Sequence, residues 1–563
     1  MQQYRYILAI ALTFAVILGW NQLSRHLGLV PEAPIEATSG AATGSTGSSA
    51  ASNQNQGPAL HPANTTAISD PAGLQVAAPA GLPEGKRLTV KTPLYTAKFD
   101  ATGGTLTSFT LSKYTQSLQD PSPFVMVNQE AALNAPMGLL LNESPTWKAG
   151  VWNTDSTDLD LTAAQEGKLL FTWDYSGIKL VRELSFKANT YVIDEKIHLE
   201  NTTPNALSFA LGFTMSTPRL SGPDEKQNLT KIGYFTPNDK FKTEYNEDDL
   251  VSGFQDSAIK WGTIQSNFFI AAVIPTAESA YKAKLEGGVF RIALNGNPIT
   301  LASNAPLNLE AKYYIGPKEK NDMELAGNDL QAAMDYGWFR IIAEPMLTFL
   351  AFLYGFFGNY GVAIIVLTII IKICMWPLSR KSYKSMERMK QLQPMIKKIQ
   401  EKYPDDKQKA SAETMRLYKT YKVNPAGGCM PLLLQIPIFI GLYQGLLNAV
   451  ELRHAPFITY LPFTDIYWLA DLSVQDPFYI TPIIMGVTMF LQQKMSPPMG
   501  DPTQAKIMLF MPVVFTFLFC SFPAGLVLYW LINSIFSIGQ QWFTMRGKAK
   551  KADKQALQED SPK

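Results

Sequence analysis

GVAIIVLTIIIKICMWPL, Gly361 to Leu378, is the stretch whose reading decides the rest of the chain. Its length and its Ile, Val and Leu content fit a membrane-spanning helix, yet Lys372 lies inside it. A charge at bilayer depth is costly enough to demand a partner, a cavity or a substrate path. Thr368 stands one turn earlier on the same helical face, so a polar stripe runs up one side of an apolar helix and is expected to face inward. The alternative is a lysine that snorkels its ammonium to the headgroups. Trp376, Pro377, Arg380 and Lys381 mark the interface it would reach, roughly one to two turns beyond.

Composition agrees with a membrane chain. Of 563 residues, 46 % are hydrophobic and 17 % charged, and the apolar runs crowd into the last third. The formal charge of +2 averages an acidic middle with basic loops and decides nothing by itself. Cys374, Cys429 and Cys520 all fall in or beside apolar runs, which excludes a disulfide framework and a zinc spacing. His26, His61, His198 and His454 are scattered, and no glycine-rich phosphate loop is present. The expectation is a protein that is not an enzyme, with no catalytic residue, cofactor or metal.

Upstream of the opening stretch, residues 329–358 change to helical spacing. Met334, Trp338, Ile341 and Ile342 share a face of Asp329–Ile342, which predicts an interfacial amphipathic helix before the core span at 360–378. Residues 85–320 alternate with period two. Ile178, Leu180, Leu184 and Phe186 face one way, and Tyr191, Ile193, Ile197 and Leu199 repeat the pattern on the next strand. This predicts a large antiparallel β-sandwich outside the cytoplasm, with no acid/base pair for sugar chemistry. Residues 25–84, rich in Ala, Ser, Gly, Thr, Asn and Pro, read as a disordered tether. Residues 1–24 read as an uncleaved signal-anchor span whose N-terminus is cytoplasmic.

Downstream, residues 379–425 form a basic helical hairpin that the positive-inside rule makes cytoplasmic. Arg388, Lys397, Lys398 and Lys402 are its candidate recruitment residues, with lipid headgroups or ribosomal RNA as the contact. Residues 427–545 hold four further spans: Gly428–Ala449, Phe478–Gln492, Ile507–Phe522 and Leu526–Phe543. With the anchor and the Lys372 helix they make six spans, both termini inside, followed by a basic tail at 546–563. Gln435, Asn533, Ser537, Gln540 and Gln541 add polar atoms within these spans. Taken with Lys372, they suggest one shared hydrophilic recess.

From about Asp335 to Gly547 the chain resembles the YidC branch of the membrane protein insertase family, in its Gram-negative form. The stretches that carry the resemblance are DYGWF from Asp335, DDKQ from Asp405, KVNPAGGCMPLLLQIPIF from Lys422, VELRHAPF from Val450, QDPFYITPIIMGVTMFLQQKMSP from Gln475 and FPAGLVLYW from Phe522. The resemblance implies a five-helix core around a groove open to cytoplasm and lipid, with a periplasmic sandwich attached. It implies a cationic residue in that groove, usually arginine, where this chain has Lys372. Thr368 and Gln435 match groove positions, and Tyr529 and Trp530 the substrate-contact region of the last helix. The implied function is insertion and folding of nascent proteins in the bacterial inner membrane, alone or with the Sec translocon. Nascent chains, lipids and the ribosome would be partners, and no small molecule the substrate. A small-solute or ion transporter would also carry an intramembrane charge, but no repeated halves with interrupted helices are visible. A Ser/Lys hydrolase would have to use Ser379 or Ser382, beyond Pro377.

Overall fold

The structure is a computed structural model that describes residues 66–67, 85–222, 225, 227–244, 246–404, 406–424, 430–495 and 502–559. The expected anchor lies outside the described residues, as does the expected tether apart from one strand. There Thr66–Ala67 pairs in parallel with Leu207 and Ser208.

Residues 87–317 are mostly strand, laid out chiefly as a nine-stranded, a six-stranded and a five-stranded sheet. The two strands read from alternation are adjacent in the largest sheet: Ile178–Lys187 pairs antiparallel with Val192–Asn201, which pairs with Pro306–Pro317. The hairpin from Glu166–Tyr175 into Ile178–Lys187 turns on Ser176 and Gly177, both at positive φ, as a two-residue primed turn requires. Leu180, Phe186, Ile193 and Leu199 from this sheet share one core with Phe213, Met215, Ile292 and Leu294 from the six-stranded sheet. The pairing is antiparallel almost throughout, but Arg87–Lys91 runs parallel to Leu159–Asp160.

Arg182 and Glu195 occupy the apolar faces of the same two strands and pair with each other, both side chains fully buried. Arg182 also donates to the carbonyls of Gly103 at 2.7 Å and Gly104 at 3.0 Å, and Tyr313 OH donates to Glu195 at 2.7 Å. A buried ion pair is tolerated only when its remaining donors and acceptors are satisfied in this way.

The helical region begins later than the spacing predicts. Asn328 and Asp329 take positive φ, and Leu330–Ala333 and Gly337–Phe339 form single 3₁₀ turns. Asp335 accepts from the amide of Gly337 at 3.0 Å, which breaks the expected helix over Asp329–Ile342. Helix α1 (Arg340–Phe357) starts only after it. Gly337–Phe357 is the one segment among the described helices long and apolar enough by itself to cross a membrane, although the sequence reading placed it along the interface.

Then follow α2 (Tyr360–Cys374), α3 (Trp376–Lys402), α4 (Lys407–Thr420), α5 (Met430–Asn448), α6 (Ile480–Met495), α7 (Pro502–Phe519) and α8 (Ala524–Glu559). Between α2 and α3 the axis bends by 64° at Met375, so Trp376-Pro-Leu is the first turn of α3 rather than the end of the span. Helix α8 runs unbroken past Phe543, where the last span was expected to stop.

The β-domain and the helices meet at Arg453, just after α5. Its Nε lies 2.5 Å from Glu225 Oε1, and its Nη1 and Nη2 donate to the carbonyls of Thr115 at 2.7 Å and Gln116 at 2.9 Å. The guanidinium stands 5.0 Å from the ring centre of Phe124 and 5.3 Å from that of Phe269. Next to it, His454 Nδ1 lies 3.0 Å from the hydroxyl of Thr115.

Candidate functional site

Helix α2 is set by its first turn. Asn359 caps it by accepting from the amide of Val362 at 3.1 Å, and its amide donates to Phe457 O at the same distance. Phe457 lies so close to Gly361 that an added Cβ would fall 2.2 Å from its ring, so the helix can approach this loop only with glycine there. From that fixed start, Ala363, Ile364, Leu367, Thr368 and Lys372 are the buried face, turned toward α8.

Lys372 is 6 % exposed. Its Nζ donates to Ser537 Oγ at 2.8 Å, and the Ser537 hydroxyl donates in turn to the carbonyl of Asn533 at 2.7 Å. Tyr383, from α3, donates to the carbonyl of Ser537 at 3.4 Å, and Gln540 Nε2 reaches the carbonyl of Lys372 at 3.4 Å. No carboxylate among the described residues pairs with this ammonium. Thr368 donates to Ile364 O at 2.7 Å and so spends its hydroxyl on its own helix.

One or two turns toward the start of α8 the polar stripe continues. Asn533 and Ser534 are buried, and Tyr529 is fully buried with its hydroxyl facing Gln435 of α5. Tyr529 precedes Ser537 by eight residues, about 12 Å along a helix, so Gln435 and Lys372 belong to two tiers rather than one contact. Trp530 packs edge-on against Phe439 at 4.7 Å and lies 5.4 Å from Phe519, between the tiers and the aromatic wall of α5 and α7.

Lys372, Ser537, Asn533 and Gln540 thus make a polar seam between α2 and α8. Tyr383 of α3, beyond the bend, covers the end of the seam nearest α3. The 64° bend between α2 and α3 carries it back against α8. Gln540 and Gln541 are also buried there, and their Oε1 atoms lack partners among the described residues.

The Lys372–Ser537 pair is not arranged as a hydrolase dyad. The ammonium donates to the hydroxyl, whose own proton is held by Asn533 O, so no basic nitrogen receives it. Ser379 and Ser382 lie in the first turns of α3, past the bend. Arg388, Lys397, Lys398 and Lys402 are exposed on α3, with Lys402 Nζ 5.6 Å from the ring centre of Tyr403. Leu392, Ile396 and Val423 form the small core that closes α3 on α4.

The family described as 60Kd inner membrane protein matches residues 352–552, and the YidC periplasmic domain matches residues 87–349. The membrane protein insertase YidC of Oleidesulfovibrio alaskensis is 49 % identical over 552 residues, covering 97 % of this chain and 100 % of that protein. The same protein of Nitratidesulfovibrio vulgaris strain DP4 is 46 % identical over 550 residues, covering 97 % and 100 %. A solved active YidC insertase with its first transmembrane domain resolved covers 82 % of this chain and 94 % of its own at 18 % identity and a TM-score of 0.35. A lysine buried between α2 and α8, with no carboxylate partner among the described residues, thus lies in a chain that belongs to the YidC family of inner-membrane protein insertases.

Proposed function

We propose that this insertase takes up the hydrophilic segment of a client between α2 and α8, where Lys372 exchanges Ser537 for an acidic or polar group of the client. The observation that carries the reading is a buried ammonium held only by neutral groups. A hydrogen bond to a neutral hydroxyl is worth about 1 kcal/mol net. A carboxylate at about 4 Å gains about 4 kcal/mol at an effective dielectric constant of about 20. A client carboxylate therefore wins the exchange while it is in the seam, and the client's apolar segment leaves into lipid at roughly 25 cal/mol per Å² of apolar surface removed from water.

Thr368, Gln435, Tyr529, Trp530, Asn533 and Ser537 line the path on this reading. Arg388, Lys397, Lys398 and Lys402 recruit clients or ribosomes at the cytoplasmic face, and the Sec translocon is a partner for part of the work. On the same reading both termini lie in the cytoplasm. Helix α2, at 15 residues, is about 22 Å long against a hydrocarbon core of roughly 30 Å, which favours local thinning of the bilayer.

The test is insertion yield in proteoliposomes for paired clients that differ only in tail charge. Lys372→Arg is expected to retain insertion, and Lys372→Ala to lose at least about fivefold on acidic tails but less on neutral ones. Equal losses on both clients, at matched protein level, would sink the electrostatic role.

A further inference from the structure

The connection between α5 and α6 carries an apolar surface that stands out from the helices. Ile458–Tyr460 and Tyr467–Leu469 pair antiparallel as a two-stranded sheet of their own. The stretch Phe457–Leu469, FITYLPFTDIYWL, holds five aromatic residues, and Asp465 is its single charge. Ile458, Tyr460, Ile466 and Tyr467 are exposed, and Phe463 at the tip is fully exposed. An isolated two-stranded hairpin is marginal in water, and this one is held at its base. There the Phe457 amide donates to Leu469 O at 2.8 Å, the Phe457 ring lies against Gly361, and Trp468 Nε1 donates to Asp476 at 3.0 Å.

The turn fixes what the tip presents. The Leu461 amide donates to Ile466 O at 2.9 Å and the Thr464 amide to Leu461 O at 3.0 Å, so the chain reverses over Pro462–Asp465. Within that reversal Phe463 takes a φ of 68°, a left-handed conformation that bulky side chains rarely adopt. A large ring held there in water is a local cost with no local return, so its use lies outside the turn.

The register shows which way the surface continues. Ile458 lies directly opposite Leu469 and Tyr460 opposite Tyr467, so all four side chains leave one face of the hairpin. Leu469 is buried in the helix-bundle core with Ala363, Ile364 and Leu472. Exposed Ile458, Tyr460 and Tyr467 therefore extend the apolar surface of the bundle outward, with the two tyrosine rings stacked at 5.3 Å. The hairpin stands at the periplasmic end of the helices, because Arg453, four residues before Phe457, holds the periplasmic domain. Phe478 and Tyr479, two and three residues beyond the Asp476 that binds Trp468, are exposed as well. Aromatic and aliphatic side chains with almost no charge, at the end of membrane helices, suit the boundary of headgroups and acyl chains, where rings are buried and hydroxyls stay wet.

We propose that the hairpin Ile458–Leu469 inserts its tip, Phe463 and Ile466, among the lipids of the periplasmic leaflet. Its base accepts from Asn359 and packs on Gly361, so the inserted tip fixes the level of the bilayer surface against the first turn of α2. This surface is separate from the Lys372 seam and does not depend on its role.

The test uses the full chain in nanodiscs of phosphatidylethanolamine and phosphatidylglycerol, one copy per disc, with Cys374, Cys429 and Cys520 replaced by serine. Nitroxide labels are attached singly through Phe463→Cys and Ile466→Cys. Asp155→Cys, on the exposed surface of the β-domain, and Phe517→Cys, on the exposed face of α7, serve as aqueous and lipid references. Collision with oxygen, which concentrates among acyl chains, is compared with collision with a water-soluble nickel chelate. The oxygen-to-nickel ratio at the Phe463 and Ile466 positions is expected to exceed that at Asp155 by at least about fivefold, as for sites about 5–10 Å below the headgroups. Adding Phe463→Asp to Ile466→Cys is expected to bring the Ile466 label to the aqueous ratio. The labelled positions are exposed, so a folding defect does not imitate this pattern. Ratios at Phe463 and Ile466 equal to that at Asp155 overturn the proposal. Labels shielded from both reagents overturn it too, since the tip then packs on protein, as does an Ile466 label that stays deep in the Phe463→Asp variant.

Discussion

Replacing Arg453 with methionine is expected to loosen the β-domain from the helices without unfolding either. The substitution keeps apolar bulk between Phe124 and Phe269 but removes the partner of Glu225, whose side chain is 4 % exposed. Breaking a buried pair from one side costs about 3–5 kcal/mol, mostly from the charge left behind. Here the lower end applies, because Glu225 Oε2 also accepts from the Gly222 amide at 2.9 Å and from Asn228 Nδ2 at 2.6 Å. The carbonyls of Thr115 and Gln116 lose their donors as well, at about 1 kcal/mol or more each if they stay dry. Undocking relieves all three groups by letting water in, so a cost of about 3–5 kcal/mol appears as opening of this contact.

Hydrogen–deuterium exchange in detergent reads that opening directly. Peptides covering 111–120 and 453–473 should lose protection by about two to three and a half orders of magnitude, the equivalent of that cost at about 1.4 kcal/mol per tenfold, while strands such as Ile178–Lys187 keep theirs. Arg453→Met combined with Glu225→Gln should recover most of the protection, since no charge is then stranded. Unchanged exchange in the single variant, or a double variant no better than the single, would refute the clamp.

Charge reversal at Lys397, Lys398 and Lys402 should lower crosslinking of the protein to nascent chains severalfold at low salt, with the difference shrinking as ionic strength rises through the range where the Debye length falls below about 10 Å; salt-independent loss would point to a folding defect of the hairpin instead. Asp471→Asn should stabilise the protein near neutral pH, measured by thermal unfolding in detergent as the difference from the parent. Burial pushes the Asp471 carboxyl up to about 6 despite its bonds from Ser473, so the native state holds its proton more tightly than the unfolded chain. Its contribution is therefore present below about pH 4 and is lost as pH rises through about 6, roughly 3 kcal/mol in all. His454, held down to about 4 by burial and by Arg453, acts in the opposite sense between about pH 6.5 and 4, so only the difference between variant and parent isolates Asp471.

Local patterns were legible and long-range pairings were not. Alternation of period two placed Ile178–Lys187 and Val192–Asn201 as neighbouring strands because it records which side of each strand is buried. The same alternation put Arg182 and Glu195 on apolar faces, a signal that two buried charges must meet, but not that they meet each other. Helical spacing likewise exposed a Thr368–Lys372 stripe and an Asn533–Ser537 stripe. Their contact spans 165 residues, and that of Arg453 with Glu225 spans 228, separations at which composition carries no information about partners. Asp329–Ile342 misled for a different reason: its apolar spacing is helical, but the Asp335 side chain offers the Gly337 amide a local bond and the glycine takes positive φ.

The two ends of the Lys372 seam differ in how firmly they are held, and this sets where it can open. At the start of α2, Asn359 and Gly361 are fixed on Phe457, whose own amide bonds to Leu469 O at 2.8 Å, and four residues before Phe457 stands Arg453 with its hold on the β-domain. Several independent contacts would have to break together to part the helices there. At the other end the covering group is Tyr383, reaching Ser537 O at 3.4 Å from a helix that leaves α2 at 64° and is mostly exposed beyond its first turns. Gln540 Nε2 adds a second long bond there, to the carbonyl of Lys372 at 3.4 Å, and Trp376 packs edge-on against Phe536 and Phe543 of α8. On the proposed function, a client segment that enters past the bend reaches Lys372 about one turn beyond it, before Thr368, Asn533 or Gln435.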